Sequence, residues 1–163
     1  MDADKKKTTL RMIPYGLYVL TADDGNSIGS GTVNWVSQMA FDPPLVAIGV
    51  KKDSATFEAI SNGAKIGLSF LESGQGDLAF AFFGSAETDG SEFVTKDKRI
   101  PFSRTDNGAI ILDDVPAWAE LTVVEINATG DHAVVVAEVI DVGLNSDNPD
   151  ILTLKELGLN YGG

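Results

Sequence analysis

Residues 32–56 read TVNWVSQMAFDPPLVAIGVKKDSAT, and the reading of this stretch decides the fold. A polar strand ending in Asn34, Trp35 and Ser37 leads into a turn at Asp42-Pro43-Pro44, and Leu45 to Val50 follows as a strand. Leu45 to Val50 is apolar on both faces, which predicts a central strand covered on both sides. Lys51 and Lys52 close it, and Ser54 then caps a helix that stops at Asn62-Gly63.

The chemistry offered by these residues suits a ligand with a flat ring and an anionic end. A helix start leaves unpaired N–H groups and a positive dipole end at 53–57, with hydroxyl donors on Ser54 and Thr56 and a cation from Lys51 or Lys52. Asp53 opposes an anion unless it points away. A plain capped helix with two solvated lysines explains the same pattern. Trp35, on a strand among polar neighbours, presents a ring face to an aromatic ligand or packs across a barrel end.

Upstream, residues 15–22 form a strand that ends at the turn signal Asp23-Asp24-Gly25-Asn26, and residues 27–36 return as a second strand. Gly29-Ser30-Gly31 gives two glycines of a dinucleotide fingerprint. Asn34 stands where the third belongs and no amphipathic helix follows, so that motif is excluded. The two glycines mark either a bulge or a close approach to the backbone. Lys5 to Met12 predicts a short helix across one barrel end.

Downstream, residues 65–71 form a strand with one wetter face, and residues 76–83 a short helix with Leu78 and Phe82 inward. The polar segment 84–100 reads as a long surface loop of the kind that carries substrate contacts. Residues 108–112, 117–129 and 132–144 complete the sheet, the last two as a long hairpin around Gly130-Asp131. About seven strands with two or three short helices and no β-α-β alternation predict a mainly β, closed antiparallel barrel. No repeat or composition break divides the chain, so residues 1–163 are expected to form one domain.

Composition narrows the function classes. The 163 residues carry 24 acidic against 12 basic side chains, a net charge of −12 that repels nucleic acid and anionic lipid. With no cysteine, the chain supplies no thiolate nucleophile and no cysteine-ligated iron centre, so redox chemistry requires a borrowed cofactor. No apolar run approaches the ~18 residues of a membrane span and the charged N-terminus lacks a leader core, which predicts a cytoplasmic protein. The single histidine, His132, follows the Gly130-Asp131 turn at a barrel rim, where it serves either a site or a structural hydrogen bond. One histidine and no cysteine leave no metal set.

Taken in order, Gly16 to Thr21, Thr32 to Ser37, Phe41 to Pro44, Lys51 to Thr56 and Gly130-Asp131-His132 resemble the flavin reductase-like FMN-binding split-barrel family. The likeness is strongest to flavoredoxin and to the flavin reductase domains fused to rubredoxins or flavodiiron proteins. It covers the chain from about Met12 to Tyr161. The resemblance implies an antiparallel split barrel that forms a homodimer with one FMN per subunit near the interface. It implies that Thr32, Val33, Asn34, Trp35 and Ser37 line the ring and ribityl chain, and that Lys51, Ser54 and Thr56 face the phosphate. It implies as well that His132 lies at the ring's reactive side, that Lys96 approaches the flavin, and that Tyr161 covers it.

The implied activity is reduction of flavin by NADH or NADPH, with a redox partner such as a rubredoxin-like protein or an oxygenase component. An FMN-holding electron carrier without a nicotinamide site, and a cofactor-free interaction barrel, are the competing expectations.

Overall fold

The expected hairpin is present. In the computed structural model, which describes residues 1–163, Phe41 pairs with Pro44 across the turn, with a cis Asp42–Pro43 bond. In chain order the elements are α1 (Ala3–Leu10), β1 (Tyr18–Asp23), β2 (Ile28–Val33), β3 (Val36–Phe41), β4 (Pro44–Lys51), α2 (Ala55–Ser61) and β5 (Lys65–Phe70). They continue as α3 (Gly76–Ala81), β6 (Glu87–Asp89), β7 (Glu92–Val94), β8 (Arg99–Arg104), β9 (Ile110–Leu112), β10 (Ala117–Asn127) and β11 (His132–Leu144).

Seven strands form one sheet in the order β2-β1-β5-β10-β11-β4-β3, with every pairing antiparallel. Its two edge strands, β2 and β3, are neighbours in sequence, separated only by Asn34 and Trp35. Two edges so close in the chain force the sheet to curl round until they meet. No β2–β3 ladder joins them, so the expected closed barrel is a split one, open at this seam. The strand predicted across 27–36 is accordingly broken, because the chain turns the corner at Asn34-Trp35 to reach the opposite edge.

Inside the barrel Leu20, Ile48, Ile66, Leu68, Leu121 and Val135 are buried. A second core lies outside it, where Leu17, Val19, Phe82, Phe93, Phe102 and Ile110 pack beneath a four-stranded sheet, β6-β7-β8-β9. This second sheet overturns the surface-loop expectation for 84–100 and raises the strand count to eleven. Phe93 is wholly buried and Ile100 nearly so. Each contributes on the order of 1.5–3 kcal/mol relative to exposure, enough to order a polar segment that spans them.

The same sheet explains why β5 has no wetter face. Gly67 leaves room for the Ile110 carbonyl, the Thr21 hydroxyl donates to that carbonyl at 2.5 Å, and the Leu112 N–H donates to Ser69 Oγ at 3.0 Å. β4 is not central but next to an edge, and only Ile48 and Val50 of its residues are buried. Its other face continues onto β11 at the exposed Val134, whereas beyond the bulge between Glu120 and Leu121 the exposed Val142 and Leu144 pair with Ala119 and Ala117 and fall on the opposite face. α1 begins earlier than expected, capped by the Asp2 side chain, and buries no residue. No helix is long and apolar enough to cross a membrane.

Candidate functional site

A cavity of about 650 Å³ lies along the split between β2 and β4, bounded by the start of α2, the end of α3 and the C-terminal segment. Its volume falls within the ordinary range for small-molecule and cofactor sites.

One end is built around α2. Gly29 permits it: a Cβ there would collide with the Thr56 backbone, so the glycine lets α2 dock directly on β2. Of the two readings left open for the glycines, Gly29 is thus a close approach of the chain to itself. Ser54 caps the helix, its Oγ accepting from the Phe57 N–H at 3.1 Å and donating to the Lys51 carbonyl at 2.7 Å. That hydroxyl is therefore committed, and Thr56, buried with its side chain on the cavity wall, is the free hydroxyl of the pair.

Asp53 does point away from the cavity wall and pairs with Lys51 at 3.0 Å, which raises the affinity of Lys51 for its proton. Lys52 is turned elsewhere, donating to the Ala128 carbonyl at 3.0 Å. Thr32 fixes the adjoining wall, because its hydroxyl donates to the Ala79 carbonyl at 2.6 Å and its N–H to Phe82 O at 3.1 Å, holding α3 against β2.

The other end is a cluster of rings. Trp35 leaves the corner and lies over Gly49, where any side chain would strike its indole. The His132 ring sits 4.8 Å from it and the Tyr161 ring 5.4 Å, between centroids. His132 Nε2 is 2.8 Å from the Tyr161 hydroxyl and Nδ1 is 3.1 Å from Asp131 Oδ1. The His132 hydrogen bond holds the Asp131 carboxyl below its usual range. Two buried donors here have no partner, Asn34 Nδ2 and Trp35 Nε1. Native interiors rarely leave such groups unpaired, so these mark a place for an acceptor from outside the chain.

Thr32, Val33, Asn34, Lys51, Ser54, Thr56, His132 and Tyr161 thus meet in one cavity, with Trp35 behind the rings. Ser37 and Lys96 do not join them. Past the corner β3 carries Ser37 away to pair with Ala47, and Lys96 is exposed in the turn between β7 and β8. Ser30, Ser85 and Asn160 line the cavity without having been singled out. The glycines flanking Ser30 were the available signal for it. Nothing local distinguishes Ser85 or Asn160, which arrive through tertiary packing.

The family model described as "Flavin reductase like domain" matches residues 10–160. The chain belongs to that family. Diflavin flavoprotein A 1 of Synechocystis is 32% identical over 139 residues, 85% of this chain and 24% of that one. This flavin reductase-like chain therefore spans about a quarter of that relative's length. An NADH:FMN oxidoreductase of Rhodococcus qingshengii is 26% identical over 142 residues, 87% of this chain and 71% of the other. Among solved structures, the styrene monooxygenase flavin reductase of Pseudomonas putida S12 superposes with a TM-score of 0.74 at 22% identity, covering 93% of this chain and 91% of that one. That likeness confirms the split-barrel fold.

Proposed function

We propose that this domain binds FMN in the cavity and catalyses its reduction by NADH or NADPH. The observation that carries the reading is the pairing of two chemistries across one cavity: the unpartnered Asn34 amide donor beside the rings, and Thr56 with Lys51 at the other end. A ring system with carbonyl acceptors suits the first end and a phosphate the second. The flavin, when bound, supplies the two-electron chemistry that a cysteine-free chain lacks. The chain's own residues bind and orient: Thr56 and Lys51 hold the anion, Asn34 donates to the ring edge, and His132 with Tyr161 lines the approach for the nicotinamide.

The domain pairs with a second copy, and the support for a homodimer is the apolar surface left bare at the end of β11, where Val142 and Leu144 are 63% and 65% exposed. Val142→Asp together with Leu144→Asp should convert a dimer to the 17.2 kDa chain in sedimentation; a monomer before substitution removes this part of the reading. A separate redox protein, rubredoxin-like or an oxygenase component, takes the electrons onward.

Anaerobic stopped-flow measurement of flavin bleaching tests the activity. NADH or NADPH should bleach the bound flavin, and His132→Ala should slow bleaching by roughly tenfold or more while FMN affinity changes little. Bound FMN that neither nicotinamide bleaches would leave the electron-carrier reading in place of the reductase. Protein that stays colourless after FMN loading and desalting would remove both.

A further inference from the structure

We propose that Asp131 is a positioning residue, whose carboxylate fixes the His132 ring as the Nδ1–H tautomer so that Nε2 receives the Tyr161 hydroxyl proton. The phenol oxygen is then left with free lone pairs on the cavity wall, where it accepts from an N–H of the ligand.

An ionised carboxylate only accepts, so the 3.1 Å contact between Asp131 Oδ1 and His132 Nδ1 requires the hydrogen on Nδ1. A neutral imidazole has one N–H, which leaves Nε2 as an acceptor. Its partner at 2.8 Å, the Tyr161 hydroxyl, must therefore donate. Free histidine side chains favour the other tautomer, so the arrangement is imposed by the carboxylate rather than inherited. Asp131 is placed to do this by the β10–β11 turn, where its carbonyl also accepts from the Lys52 N–H at 3.1 Å.

The charged groups facing His132 from neighbouring elements are few. Lys51 stands opposite it in the β4–β11 register, with its ammonium tied to Asp53 at 3.0 Å, and Tyr161 arrives from the C-terminal segment. The Lys51 ammonium has no acceptor to offer the ring, so the Asp131 carboxylate and the Tyr161 phenol are the groups that meet its two nitrogens. A ligand amide or imide N–H is recognised by this neutral form, since a ring carrying both N–H groups would make Nε2 a donor and turn the phenol hydrogen toward the cavity.

His132 being the chain's only histidine, the imidazole ¹⁵N spectrum of the full chain contains one ring. In the neutral ring the proton should reside on Nδ1, with no ligand added. Asp131→Ala should move it mainly to Nε2, whereas Asp131→Asn, which keeps an acceptor oxygen, and Tyr161→Phe should leave it on Nδ1. A proton on Nε2 in the unsubstituted chain, or a spectrum unmoved by Asp131→Ala, overturns the proposal.

The catalytic consequence rests on the reductase reading. Flavin bleaching by NAD(P)H should slow about three- to tenfold in Asp131→Ala, the worth of one ordinary hydrogen bond, and recover in Asp131→Asn. No bleaching in the unsubstituted chain would overturn the reductase reading and leave the tautomer result standing, since the spectrum needs neither flavin nor nicotinamide.

Discussion

The two ends of the cavity are built by opposite means. At the α2 end the chain satisfies itself: Ser54 spends its hydroxyl on the cap, Thr32 spends its own on α3, and Gly29 lets two backbones touch. At the ring end it does not, since two buried donors, Asn34 Nδ2 and Trp35 Nε1, lack partners. A self-satisfied end is shaped before any ligand arrives and discriminates by fit. An unsatisfied end carries desolvated donors whose cost is recovered only on binding, so its contribution is to affinity for whatever completes it.

The largest effect should come from breaking the rigid end. Gly29→Val places a branched side chain against the Thr56 backbone and should cost about 3 kcal/mol in urea unfolding. Gly84→Ala, at the cavity lip with nothing within 4 Å, should be nearly neutral and serves as its control. Comparable losses at both positions would deny that the α2 docking is tight.

A second measurement separates the ends by ligand. Thr56→Val should weaken FMN by about 1.5–3 kcal/mol and leave riboflavin, which lacks the phosphate, unchanged. Equal weakening of the two ligands would move the phosphate away from α2.

Asn34→Ala should behave in the reverse way. Removing a donor that has no partner should alter the unliganded protein's stability by less than about 1 kcal/mol, yet weaken FMN and riboflavin alike by about 1 kcal/mol. Selective loss of FMN alone would place Asn34 at the wrong end.

The smallest effect is electrostatic and lies at the far terminus of α2, away from the cavity. Asn62 donates to Asp24, as do the Ser27 and Asn26 N–H groups, and together they hold the Asp24 carboxyl at about 2 against an ordinary 3.8. A depressed carboxyl stabilises the fold above its unfolded value and loses that contribution as pH falls through the folded one. Melting temperature should therefore drop between pH 3.8 and about 2, and by less in Asp24→Ala, which also frees Asn62 at the end of α2. Identical pH slopes would show that the Asp24–Asn62 contact does not persist in solution.

Much of this site was legible because its residues are close in sequence. The turn at Asp42-Pro43-Pro44, the Ser54 cap and the Gly130-Asp131 hairpin are local chemistry, and each appears where the residues put it. What escaped was tertiary. The strand through 27–36 had no internal signal for a break, since Asn34 and Trp35 bend only because the curled sheet brings its edges together. Phe93 and Ile100 looked like isolated apolar residues in a polar segment, and their burial depends on a core supplied by Leu17, Val19 and Phe82. The commitment of Ser54 and the ion pair of Lys51 with Asp53 likewise needed coordinates, because sequence shows which groups are near but not which are already spoken for.

The split itself has a consequence for handling the protein. An open seam means that β2 keeps a free strand edge, guarded by the Thr32–Phe82 hydrogen bond and by α2 docked at Gly29, and otherwise facing the cavity. Unpaired strand edges are templates for pairing with other chains. Whatever fills the cavity therefore also shields that edge, and protein stripped of its ligand should aggregate sooner on storage than the loaded form.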